Sequence, residues 1–99
     1  MNPNLHLPNE VIARFCREHA VRELALFGSV VRADFREDSD VDILIDLKDE
    51  ARVGLVTMQR MREELSVIIG RSVDLITRNG LNRHIRDDVL KEAEVIYAE

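Results

Sequence analysis

Gly28-Ser29, ten further residues, then Asp40-Val41-Asp42 is the part of this chain whose residue types and spacing could do chemistry. A Gly-Ser pair directly after an apolar run puts main-chain N–H groups and a hydroxyl where phosphate oxygens can sit. Two aspartates one residue apart in an extended segment project to the same side of it. A triphosphate carries dense negative charge, and divalent cations held by clustered carboxylates can neutralise it. Clustered acids repel one another and raise one another's pKa values, a conflict that a bound cation relieves. The pattern therefore points to a site for a metal–nucleotide triphosphate.

A third carboxylate should come from another strand of the same sheet. Asp74 is the best candidate, because it interrupts the apolar stretch SVDLIT at 72–77. A carboxylate there needs a metal, a cation or solvent. Arg32 lies one turn beyond Ser29 and could pair with a phosphate or with an acid. Each feature has a bland counterpart taken alone: a Gly-Ser turn, a solvated strand end, a surface charge, a structural arginine. The order strand, Gly-Ser, helix, acidic strand, helix, acidic strand is what makes them a signal.

The elements that must position these residues follow from periodicity. Pro8-Asn9-Glu10 opens a helix with Val11, Ile12, Phe15, Cys16 and His19 on one face, closed at His19-Ala20. Leu24 to Phe27 reads as a buried first strand, with Ser29 as the N-cap of a short helix or turn over 29–35. Residues 36–39 form a polar loop. Val41, Ile43 and Ile45 alternate with Asp40, Asp42, Leu44 and Asp46, a strand with an apolar and an acidic face. Leu55, Met58, Met61, Leu65, Ile68 and Ile69 mark a longer helix that stops at Gly70. SVDLIT is a third strand, Asn79-Gly80 a turn, 82–94 a last helix, and Val95-Ile96-Tyr97 a short edge strand. The expected fold class is α/β (α+β), a small mixed sheet flanked by helices, in a single domain over 1–99 with a flexible start over 1–7.

Composition sets the limits. The 99 residues are 45% hydrophobic and 33% charged, as in an ordinary soluble globular protein. A net charge of −5 gives no general attraction to a nucleic-acid backbone. Cys16 is the only cysteine, which rules out an internal disulfide and suits a reducing cytoplasm. The first ten residues lack a basic segment followed by an apolar one, so no signal peptide is expected, and no apolar run is long enough to span a membrane.

The segment GSVVRADFREDSDVDILIDL resembles the signature of the DNA polymerase beta-like nucleotidyltransferase superfamily, and most of all its minimal nucleotidyltransferase (MNT) domains. Gly28, Ser29, Arg32, Ser39, Asp40 and Asp42 match the family pattern, and Asp74 matches the third carboxylate by position. Ala33 departs from it, since many members have Gly there; a helical turn is the expected consequence. The resemblance implies a polymerase beta-like fold and a Mg-dependent transferase using two Mg²⁺ ions and ATP. It implies Asp40, Asp42 and Asp74 as metal-binding and catalytic residues, and Gly28, Ser29, Arg32 and Ser39 as nucleotide-binding residues. Because MNT domains often pair with HEPN toxins, it also implies an antitoxin that transfers AMP to a tyrosine of a HEPN-type ribonuclease toxin. A non-catalytic antitoxin acting by occlusion, and a standalone transferase acting on a small molecule or RNA, are the alternatives. Homo- and hetero-oligomers are both compatible with the chain.

Other residues read as structural. Asp46 is a solvated charge beyond the acidic pair. Arg78, Arg83, His84 and Arg86 form a basic patch best explained by ion pairs with surface acids such as Asp87 and Asp88. His6, His19 and His84 lack zinc-ligand spacing with Cys16, itself a core residue.

Overall fold

Helix α1 (Asn9–Glu18) starts where Pro8 ends an extended segment, and the Ile12 N–H donates to the Pro8 carbonyl (3.0 Å). Proline's fixed φ suits this position, and Glu10 complements the helix dipole. Ile12, Phe15 and Cys16 are buried, the i, i+3, i+4 stripe of an amphipathic helix. Val11, expected on that face, sits at its exposed rim. The structure is a computed structural model, and it describes residues 5, 7–32, 36, 38–48 and 54–99, Asn79 by its backbone only.

Strand β1 (Val21–Phe27) begins three residues before the apolar run that marks it in sequence. Glu23 is carried into it because strands pair with it on both sides, and Arg22 lies at an irregularity of the β2 ladder, its carbonyl accepting the Glu99 N–H (2.9 Å). A 3-10 turn (Gly28–Val31) follows, then β2 (Val41–Leu47), antiparallel to β1 with Phe27 opposite Asp42. Helix α2 (Leu55–Ile69) buries Met61, Leu65 and Ile69 and stops at Gly70, whose φ of 77° is the left-handed cap that glycine adopts without strain. Leu55, expected on the buried face, is 89% exposed at the first turn. Strand β3 (Val73–Thr77) runs parallel to β2, as a connection through a helix allows. Helix α3 (Arg83–Glu92) is capped by Asn82, whose Oδ1 accepts the His84 N–H (2.9 Å). Strand β4 (Glu94–Ala98) pairs antiparallel with β1. The sheet order is β3-β2-β1-β4, which leaves β3 and β4 as edges.

The pleat divides the sheet into two faces. Leu24 and Leu26 of β1, Val41, Ile43 and Ile45 of β2, and Val73 of β3 pack with α1 and α2 in the main core. Ala25, Phe27 and Leu44 turn the other way and pack with Leu81 and Val89 beneath α3. Leu44, grouped with the acids in sequence, is therefore a second-face core residue. Leu5 and Leu7, within the segment 1–7, are buried in the main core. Among the described residues no helix is long and apolar enough to cross a membrane.

Candidate active site

Asp42 precedes Leu44 by two residues and Asp74 precedes Ile76 by two, so both acids share the pleat phase of the α3-side core. The parallel register of β2 and β3 sets Asp42 directly beside Asp74. Asp40 lies two residues before Asp42, just ahead of β2. Asp40 and Asp74 are exposed and Asp42 is half-buried. Burial raises the Asp42 pKa above the ordinary aspartate value. The charges of Asp74 and Asp40 push the same way, and Arg32 opposes them. Two acids and one guanidinium thus act on Asp42 across a strand pair and a turn.

The turn closes on Asp42 from the β1 side. Gly28 has a φ of 74°, and a Cβ built on it would collide with the Asp42 carboxylate. Only glycine meets both conditions: a left-handed backbone and a main chain pressed against an acid. The Gly28 N–H donates to Glu92 Oε1 of α3 (3.2 Å), so this amide is held by a side chain that the sequence reading did not single out. Ser29 is half-buried within the 3-10 turn, and its carbonyl accepts the Arg32 N–H (3.1 Å). The expected Ser29 N-cap is corrected: Phe27 occupies the cap position of a four-residue 3-10 turn, with no side-chain cap bond. Arg32 is exposed in extended backbone after that turn. The Ala33 position lies outside the described residues.

Ser39 works within the loop that leads to Asp40. Its Oγ accepts the Arg36 N–H (3.0 Å), and its own N–H donates to the Arg36 carbonyl (3.1 Å). Arg71, between α2 and β3, donates to the Ser39 carbonyl (2.9 Å). Nothing in the local sequence pattern distinguishes Arg71 from the other arginines.

The donor set of Asp40, Asp42 and Asp74 is all oxygen, as magnesium requires, and their mutual repulsion is what a divalent cation would relieve. The trio remains more open than a closed cage. Among the described residues, the group whose ligand atoms all lie within 4.8 Å is instead Glu18, His19 and Glu64. That group contains the His19 Nε2–Glu64 Oε2 contact (2.8 Å) that ties the end of α1 to α2.

The remaining candidates fall into structural roles. Asp46 lies 4.0 Å from Arg22 and 3.9 Å from Arg78, so it is a weakly paired acid rather than a freely solvated one. Arg86 donates to the Leu81 carbonyl at the start of α3 (3.4 Å). Cys16 is buried, and burial pushes its thiol up to about 12.

Comparison with known proteins bears on the family and the fold. A family model described as "Nucleotidyltransferase domain" matches residues 9–96. The protein adenylyltransferase MntA of Thermococcus cleftensis is 40% identical over 77 residues, 78% of this chain and 74% of the relative. A crystal structure of a toxin-antitoxin with AMP-PNP superposes with a TM-score of 0.75 at 18% identity, covering 94% of this chain and 75% of that one. A complex of a tri-AMPylated Shewanella oneidensis HEPN toxin with an MNT antitoxin gives 0.67 at 16% identity, covering 92% and 70%. At such identities these two structures speak for the fold alone. With the family model matching from α1 into β4 and the MntA relative aligned over most of its own length, the chain belongs to the nucleotidyltransferase domain family, among its minimal, MntA-type protein adenylyltransferases.

Proposed function

We propose that this chain is the antitoxin of a toxin–antitoxin pair and transfers AMP from ATP to a tyrosine hydroxyl of a HEPN-type ribonuclease toxin in the cytoplasm. The observation that carries the reading is the side-by-side placement of Asp42 and Asp74, with Asp40 beside them and Gly28 pressed against Asp42. The AMP-PNP and AMPylated-toxin complexes that share the fold support the choice of nucleotide and partner.

On this reading Asp40, Asp42 and Asp74 hold two Mg²⁺ ions, which supply charge neutralisation for the triphosphate and its departing pyrophosphate. Ser29 and the Gly28 turn orient the phosphates, with Glu92 giving up its hold on the Gly28 amide if a phosphate takes that donor. Arg32 balances charge beside Asp42, and Ser39 shapes the approach to Asp40. Asp74 accepts the proton of the acceptor hydroxyl. The freed oxygen bonds to the α-phosphorus as the bond from that phosphorus to the β-phosphate oxygen breaks. Asp74 is exposed on an edge strand, which lets a side chain of a second protein reach it.

Radiolabelled ATP incubated with the chain and a HEPN partner tests this. Label should appear on the partner with wild type and vanish with Asp42→Ala. Equal transfer by both would reject the assignment. Neutralisation of the toxin by Asp40→Ala would instead favour inhibition by binding alone.

A further inference from the structure

Two of the three acids are set by strand register, but Asp40 is not. It precedes β2, where no ladder partner fixes it. The residue after it, Val41, donates its N–H to the Ser72 carbonyl (2.8 Å). The segment before it is held differently. The Arg36–Ser39 turn closes on itself through the Ser39 N–H to the Arg36 carbonyl and the Arg36 N–H to Ser39 Oγ. Arg71 Nη2 then donates to both carbonyls of that turn, Arg36 at 2.6 Å and Ser39 at 2.9 Å.

We propose that Arg71 is a positioning residue for the metal-binding acids, holding the loop that presents Asp40 to the junction that launches Asp74. The proposal rests on the proposed metal-dependent reading of the site. Arg71 follows the left-handed Gly70 stop and stands two residues before β3. One side chain therefore ties the approach to Asp40 to the start of the strand carrying Asp74. A guanidinium suits this task, because it is permanently charged and its donors have fixed directions. A lysine ammonium in its place would reach the same carbonyls without that directionality.

The bond to Arg36 is exposed and the bond to Ser39 half-buried, and neither residue belongs to the apolar clusters. Their loss should loosen the loop and leave the core intact. Groups that orient metal-binding residues without touching the metal typically change affinity by about 10–100-fold when removed. The consequence should therefore appear in metal binding rather than in folding.

The test uses the full chain as wild type, Arg71→Lys, Arg71→Met and Asp42→Asn. Calorimetry measures Mn²⁺ binding in the presence of a non-hydrolysable ATP analogue, and thermal melts monitor the fold. Mn²⁺ affinity should fall about tenfold in Arg71→Met and less in Arg71→Lys, with melting close to wild type. In the transfer assay the Mg²⁺ concentration for half-maximal rate should rise, with the rate recovering at high Mg²⁺ and the KM for ATP unchanged. Unaltered Mn²⁺ affinity in a folded Arg71→Met overturns the assignment. Should Arg71→Met fail to fold, Arg71→Lys decides by the same measurement. A wild type that binds Mn²⁺ through Asp42 and transfers no AMP overturns the transfer reading, while the calorimetry still judges Arg71.

Discussion

Replacing Gly28 with alanine should destabilise the protein through Asp42, and the two contributions can be separated. At a φ of 74° an L-residue costs about 1–2 kcal/mol relative to glycine. The new Cβ also collides with the Asp42 carboxylate, and forced overpacking costs about 1–3 kcal/mol. Reduced freedom of the unfolded chain returns about 0.4–1 kcal/mol. The net loss is about 1–5 kcal/mol, and each kcal/mol corresponds to about 4–8 °C in melting temperature for a domain of this size. Urea unfolding of wild type, Gly28→Ala, Asp42→Ala and the double variant closes a thermodynamic cycle. With the Asp42 side chain gone, the left-handed backbone cost remains and the collision disappears. The penalty for Gly28→Ala should therefore shrink by about 1–3 kcal/mol in the Asp42→Ala background. Equal penalties in both backgrounds would refute the close approach of the turn to the acid, and with it the steric reason for glycine.

Three further outcomes follow from particular contacts. Asp42 has a raised pKa in the folded state, caused first by burial and then by Asp74 and Asp40, so the folded protein binds more protons than the unfolded chain and loses stability as pH rises from the unfolded value through the folded one. Asp42→Asn lacks this loss, so urea melts should show it gaining on wild type as pH rises through that window and keeping the advantage above it; a lead that is largest in acid would contradict this. The buried Cys16 thiol, pushed up to about 12, should resist a thiol reagent at pH 8 until urea unfolds the chain, whereas complete labelling of the native protein within seconds would argue against its burial. Ser66 Oγ donates to the Arg62 carbonyl (2.8 Å) and accepts the Val73 N–H (3.1 Å), so Ser66→Ala should cost about 1–3 kcal/mol in urea melts by leaving the first amide of β3 without its acceptor.

Features carried by consecutive residues were legible before any fold was known. Alternation put Val41, Ile43 and Ile45 opposite Asp42, because a strand reverses side at every residue. The helical stripe and terminal glycine bounded α2 at Leu55–Ile69, and Gly70 adopts the left-handed stop expected of it. Periodicity also placed a strand around Asp74. Local pattern failed where pairing or packing supplies the energy. Strand β1 extends back to Val21 because Val21 pairs with Leu47 of β2 and the polar Glu23 is paired on both sides, with Arg22 carried along at an irregularity between them. Leu5 and Leu7 have no periodic neighbours to announce them, yet they fill the main core.

The acid cluster divides along the same line. That Asp40 and Asp42 should project to one side is an expectation for two residues one apart in any extended backbone. That Asp42 stands beside Asp74 depends on the parallel register of β2 and β3, which α2 and the core beneath it select from many possible offsets. The Glu92 carboxylate on the Gly28 amide spans 64 positions in the chain, and the Arg71 bond to Ser39 spans 32. Such contacts form because the sheet and its helices bring distant backbone together, and no short window of residues contains both partners.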